Sequence, residues 1–303
     1  MMSISQRIKN AGGLKKSIVN FFTKGRSNRS VGGTVVLLIF IGIFAVFSLF
    51  PVLFMIGNAF KPLRELHRYP PTILPQNPTW KNFSDLLQYA NESLVPFTRY
   101  LFNTGILVVA ICIGQIVLSA AAAFPIAKFN FKGKKLMDSL IVYALMFSGS
   151  VTAVPNYIIM NKLGLVDNLW AVILPSMAST LGLYLLKNFM VMLPDALIEA
   201  ASIDGATYFE MLLKVVMPVV KPAVATVFIF TFQGVWGNTG GNFLYTENIK
   251  PLSYMLSKIS AAGIARQGMS SAASLLMFII PVVIFIVAQS NVMETMATSG
   301  MKD

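Results

Sequence analysis

Cysteine, histidine and acidic side chains are all scarce in this chain. One cysteine, Cys112, and one histidine, His67, occur among 303 residues. A lone thiol forms no internal disulfide and leaves the redox compartment unread. One histidine with one distant cysteine makes neither a metal cluster nor a nucleophile pair, so zinc and thiol chemistry have no residues to rest on. The phosphate-cradling pattern G-x-x-x-x-G-K-[ST] is missing too, because "FKGKK" at 131–135 lacks its first glycine and the hydroxyl that holds magnesium. Charged residues make up 12% of the chain, against roughly 25% in ordinary soluble domains.

Apolar residues make up 55% instead. Six stretches of 19 residues or more contain no Asp, Glu, Lys or Arg: 30–60, 100–127, 139–161, 168–186, 222–246 and 267–293. Each is long enough for a helix crossing about 30 Å of hydrocarbon. A closed barrel would show alternating strands of about ten residues instead, so the expected fold is an all-α integral membrane protein with six transmembrane helices. The first run is too long for a signal-peptide core and is read as retained. No span centre carries a carboxylate, and Asp138 and Lys187 lie near span ends. Ion-coupled carriers usually need such intramembrane ligands, so energy is expected to enter from outside these helices, although a sodium site of carbonyls and hydroxyls stays open. No repeat of one half in the other is visible.

Positive charge sets the expected orientation. Residues 1–29 carry seven Lys or Arg and no acid, and Lys128, Lys132, Lys134 and Lys135 follow the second run. Both segments belong inside by the positive-inside rule, which with six spans makes both termini cytoplasmic. The net charge of +12 is therefore assigned to anionic lipid rather than nucleic acid. Leu14, Ile18, Phe21 and Phe22 fall near helical spacing among lysines, which suits either a surface helix or a disordered leader. The resulting organisation is a basic leader at 1–30, a span domain at 31–293 and a cytoplasmic tail at 294–303. Outer loops fall at 61–99 and 238–270, with a cytoplasmic loop at 194–222 between them in sequence. The first outer loop contains the proline-rich "YPPTILPQNPTW" and one short helix over 80–90.

The cytoplasmic loop is too organised for a connector. Pro194 starts a short helix with Asp195 near its positive end, and Ala196, Leu197, Ala200 and Ala201 keep it small-sided. Asp204-Gly205 ends it, since glycine permits positive φ. Thr207 with Glu210 forms a capping box for a second helix, whose apolar face is predicted at Phe209, Leu212, Leu213 and Val216. Pro218 and Pro222 mark the bend into the fifth span. Four acids, Asp195, Glu199, Asp204 and Glu210, would face a negative leaflet, so protein docking is favoured over lipid.

"EAASIDGA" at 199–206, followed by "VVMP" at 215–218, resembles the EAA loop of permease subunits in binding-protein-dependent ABC importers. Val215 and Met217 replace other apolar residues of that pattern. With six spans and inside termini, the chain is similar to the carbohydrate-uptake permeases, as the six-span partner of a two-permease pair in a bacterial plasma membrane. The resemblance implies that Glu199, Ala200, Ala201, Asp204, Gly205 and Pro218 form an element coupled to a cytoplasmic ATPase. It implies a second permease, two ATPase subunits holding ATP and magnesium, an extracytoplasmic solute-binding protein and a carbohydrate substrate, with no cofactor and no nucleic acid on this chain. For the substrate path, Tyr143, Asn156, Tyr184, Gln233 and Trp236 are aromatic or neutral polar groups within spans, although helix packing or interfacial anchoring is the favoured reading of any single one. In the second outer loop Asn238, Asn242 and Tyr245 are candidates for binding-protein contact, with a plain connector as the alternative. A permease for amino acids, peptides or phosphate, and an ion-coupled carrier, are the rival readings.

Overall fold

The computed structural model describes residues 31–92 and 95–299, and every regular element among them is helical. The leader, with its expected surface helix, and the last four residues of the tail lie outside the described residues. The chain forms two compact units, one holding residues 31–57 and 72–74 and the other residues 58–71 and 75–299.

The first unit is essentially one helix. Helix α1, Val31–Ala59, is apolar on all sides and its side chains from Val35 to Phe50 are exposed, the pattern of a helix solvated by hydrocarbon. Near its end Gly57 leaves room for residues 72–74: a Cβ there would stand 2.1 Å from the Ile73 carbonyl oxygen.

The second unit begins with α2, Lys81–Glu92, the short helix expected over 80–90. Asn82 on α2 is buried and donates to the carbonyls of Ala59 (2.9 Å) and Lys61 (2.8 Å). Helix α3, Phe97–Lys128, is the central element. At 1.5 Å per residue it is about 48 Å long, more than a bilayer core. Its buried face runs Tyr100, Thr104, Leu107, Ile111, Gln115, Ser119 at helical spacing, and it packs against α6 (Trp170–Met177), α7 (Thr180–Val191) and α10 (Lys221–Trp236). Glycines set how closely these helices approach. A Cβ on Gly114 would lie 1.9 Å from Met177 Cε, and one on Gly182 would lie 2.5 Å from Gln115 Nε2. Helix α12, Gln267–Ser299, then packs on α10 and α2, and on α11, Leu252–Ala261.

Not every predicted span is straight. Among the described residues, four helical stretches are long and apolar enough to cross a membrane: Val35–Ala59, Phe97–Lys128, Trp170–Val191 and Ile264–Gln289. The third predicted span is instead a pair, α4 (Lys134–Met146) and α5 (Gly149–Lys162), bent by 105°. Ser148 breaks it by accepting from the Ser150 backbone N–H as an N-cap. The fifth is α10 joined at 83° to α9, Tyr208–Val219. Six spans are reached only if each bent pair counts as one. A search for charge-free runs sees composition, and these breaks are made by caps and prolines that leave composition unchanged.

Candidate functional site

The loop read as a coupling element folds as an elbow. Its first helix, α8, covers Asp195–Ile203, with Pro194 one position outside it. The helix ends where Asp204 N–H bonds to the Ala200 carbonyl and Gly205 turns to φ +77°, donating to Ser202 (3.1 Å). Ala206 N–H then reaches back to the Ala201 carbonyl (3.0 Å), closing a glycine-dependent C-terminal turn. The Thr207–Glu210 capping box forms as expected and starts α9.

Helix α9 departs from its predicted face. Met211, Leu212 and Val216 are buried while Phe209 and Leu213 are exposed. The cause is a π-helical stretch over Met211–Val216, wound more widely than an α-helix. It lies just before Pro218, which has no N–H to offer the preceding turn.

One side of the elbow is bound to the rest of the second unit. Ala201, 8% exposed, packs with Met211, Leu212, Val216, Leu186 and Met190, so this alanine faces its own chain and not a partner. From the end of α3, Lys128 Nζ donates to the Leu193 carbonyl (2.5 Å) and to Asp195 Oδ1 (2.7 Å), with the lysine side chain only 3% exposed. That ammonium holds the Asp195 carboxyl below its ordinary range. Asp195, one of the four acids read as favouring protein docking, is thus engaged within the chain. Aromatic edges continue the link, with Phe124 to Phe129 at 5.2 Å and Phe129 to Tyr208 at 5.0 Å between centroids.

The other side of the elbow is open. Ala196, Glu199, Ala200 and Ile203 lie at helical spacing on one exposed stripe, with Ile203 86% exposed. Asp204 and Pro218 are exposed as well. Sequence reasoning passed over Ile203 and used Lys128 only as one of the charges that set orientation. An isoleucine directly before Asp-Gly at a helix end, and a lone lysine closing a 32-residue apolar helix, were the available signals.

At the opposite end of α3 the polar groups fix the second outer loop. Asn103 Nδ2 donates to the carbonyls of Asn248 (2.8 Å) and Lys250 (3.0 Å), and Tyr100 Oη donates to Glu247 (2.7 Å). Asp167, at φ +62°, accepts from the backbone N–H groups of Tyr245 (2.7 Å) and Thr246 (2.8 Å) and from the Thr246 hydroxyl. Asn242 and Tyr245 are exposed there, whereas Asn238 is turned inward: its Oδ1 accepts from Gly240 N–H (2.8 Å) and its carbonyl from the Ser253 hydroxyl.

The Asp167 clasp carries a pH sign. The Thr246 hydroxyl first, then the Thr246 and Tyr245 N–H groups, hold this carboxyl below its ordinary value of 3.8. A depressed folded pKa means that the clasp's contribution is present above the unfolded value and lost as pH falls through the folded one. Asp167→Ala is expected to lower hydrogen-exchange protection of the Tyr245 and Thr246 amides several-fold at neutral pH. In the parent, protection relative to free-chain rates should fall only below the ordinary carboxylate range.

The five substrate-path candidates lie on four helices. Tyr143 is exposed on α4, Gln233 is exposed on α10, and Asn156 and Tyr184 are half-buried on α5 and α7. Trp236 is buried with its indole N–H donating to the Met277 carbonyl (3.0 Å), which ties α10 to α12. A cavity with polar, uncharged walls lies elsewhere. About 270 Å³ opens among α3, α6, α7 and α10, lined by none of the five, with Gln115, Ser176, Ser179, Thr231 and Asn238 on its wall.

Comparison with known proteins places this architecture. Protein LplC of Bacillus subtilis is 28% identical over 74% of this chain and 74% of its own length. The sn-glycerol-3-phosphate transport system permease protein UgpE of Pectobacterium atrosepticum is 32% identical over 66% of this chain and 70% of its own. A crystal structure of a bacterial ABC transporter involved in the import of the acidic polysaccharide alginate superposes with a TM-score of 0.72 at 20% identity, covering 88% of this chain and 98% of that one. Residues 115–294, which hold the elbow, the cavity and the helices around them, match the family described as the binding-protein-dependent transport system inner membrane component. This multi-pass membrane chain belongs to that family and is the permease subunit of such a transport system.

Proposed function

We propose that the chain takes up a carbohydrate, handed over by an extracytoplasmic solute-binding protein, in an importer driven by separate ATPase subunits that hold ATP and magnesium. The elbow is where those subunits act, on the cytoplasmic side of a bacterial plasma membrane, with both termini on that side. One observation carries this reading. The stripe of Ala196, Ala200 and Ile203 is exposed for a partner while the same helix is anchored to the longest span through Lys128, so a push on one side is passed to the other. Small side chains permit close approach, and the protruding Ile203 supplies an apolar anchor.

A second permease completes the path, as the resemblance to one partner of a two-permease pair implies. Relatives supply the solute class. One is named for sn-glycerol-3-phosphate transport and one structural neighbour for alginate import, a polyol derivative and a polysaccharide. Both solutes are anionic, so the charge of this chain's own cargo is the point left to its residues.

Purifying the chain from its native membrane is expected to bring down an ATPase and a second multi-span protein, and uptake into vesicles is expected to require ATP and the binding protein. Solute accumulation by the purified chain alone under an ion gradient would overturn the reading in favour of a secondary carrier.

A further inference from the structure

We propose that the cavity among α3, α6, α7 and α10 is a station for one neutral sugar ring on the transport path. The inference rests on the carbohydrate reading and adds the charge class of the solute. Its starting point is Gln115, a residue 4% exposed whose side chain makes no hydrogen bond to any described residue. No fully buried side-chain polar atom among the described residues lacks a partner, so the Gln115 amide reaches the cavity space, where water or a ligand is its available partner.

The remaining wall repeats the pattern. Ser176 and Ser179 make no side-chain hydrogen bond to a described residue, and Asn238 has spent its Oδ1 on Gly240 N–H, keeping its NH₂ free to donate. Thr231 has spent its proton on the Val227 carbonyl (2.8 Å) and retains lone pairs to accept. Phe230 adds an apolar face at the exposed mouth. Donors and acceptors facing a flat ring are what a hydroxyl-rich pyranose requires.

Size and charge narrow the guest. A space of 270 Å³ holds about nine waters at about 30 Å³ each, just under the usual small-molecule range of about 300–1,000 Å³, so it takes one ring and not two. No ionisable side chain lines it. A carboxylate or phosphate entering it would lose hydration without gaining a counter-charge, a cost of several kcal/mol. The site therefore selects a neutral ring, in contrast to the anionic cargo for which the two relatives are named.

The test uses the complete complex of binding protein, both permeases and ATPases in vesicles. Neutral trisaccharides (maltotriose, cellotriose, xylotriose) and trigalacturonate serve as probes. At least one neutral probe should accumulate and trigalacturonate should not. Gln115→Leu should lower uptake of that neutral probe about tenfold, the equivalent of one hydrogen bond of about 1.4 kcal/mol. Independently of folding effects at Gln115, Ser179→Cys in a Cys112→Ala background should react with a neutral thiol reagent in the membrane, and the transported sugar should slow that reaction at least threefold. Parent-like uptake by Gln115→Leu, an unreactive Ser179→Cys, or trigalacturonate uptake equal to that of the neutral sugar would each overturn the cavity assignment while leaving carbohydrate import standing. Failure of every sugar, with ATP-driven uptake of some non-carbohydrate solute, would instead overturn the carbohydrate reading.

Discussion

Gly205→Pro is expected to leave the chain in the membrane at normal abundance, and its complexes hydrolysing ATP, while uptake falls at least about tenfold, the equivalent of about 1.4 kcal/mol. Three effects act on one peptide unit. Proline fixes φ near −65°, whereas Gly205 sits at +77°. It also removes the N–H that donates to Ser202. Finally, it disfavours the helix-like conformation of the residue before it, and Asp204 stands at φ −72°, ψ 1°. Together these exceed about 3 kcal/mol, more than the elbow's last turn can absorb. Membrane insertion is untouched because the four straight spans gain no polar group. Gly205→Asn is the control, since asparagine tolerates the left-handed region and should keep most uptake. Normal solute uptake by Gly205→Pro would count decisively against the elbow as the coupling element.

The second large effect is expected at Lys128, with an asymmetry that identifies the important bond. Lys128→Met leaves the Leu193 carbonyl without its donor and detaches the elbow from α3. Charge-assisted bonds of this kind contribute about 1.5–3 kcal/mol, so uptake per ATP hydrolysed should drop about ten- to hundred-fold. Asp195→Asn should be far milder. The Asp195 side chain is 78% exposed, an exposed ion pair contributes about 0–1 kcal/mol, and the bond to Leu193 survives the change. Paired measurements of uptake and ATPase activity on both variants settle the order. Equal losses would mean that the ion pair, and not the carbonyl bond, carries the link.

Much of the elbow was legible because its signals are local. Gly205 after an aspartate and the Thr207–Glu210 box each act within a few residues and both behave as read, while Pro194 stands one position outside the helix it was read to start. The apolar face of α9 was misread at Phe209 and Leu213 because a regular period was assumed where Met211–Val216 winds differently. Charge-free runs marked where hydrocarbon-compatible helices lie, yet could not show that Ser148 cuts the third into two at 105°. The cavity was missed for a different reason. Aromatic and neutral polar residues were picked one by one within the spans, whereas the groups brought together are Gln115, Ser176, Ser179 and Thr231 from separate segments. Gln115 did carry a signal, as an amide in the middle of a charge-free span on the same face as Tyr100, Thr104 and Ile111. Nothing in the sequence joined it to Ser179, because that juxtaposition depends on Gly182 admitting the helix crossing.

The wide winding over Met211–Val216 also sets where the elbow points. An α-helical residue turns the chain by about 100° about the axis and a residue of the wider helix by less, so ordinary winding of the same six residues would rotate everything upstream. The Ala196–Ile203 stripe would then point sideways with every one of its residues unchanged. A change in how this turn winds, rather than a change in the stripe, is therefore a direct way for a chain of this kind to be re-aimed at a differently shaped motor.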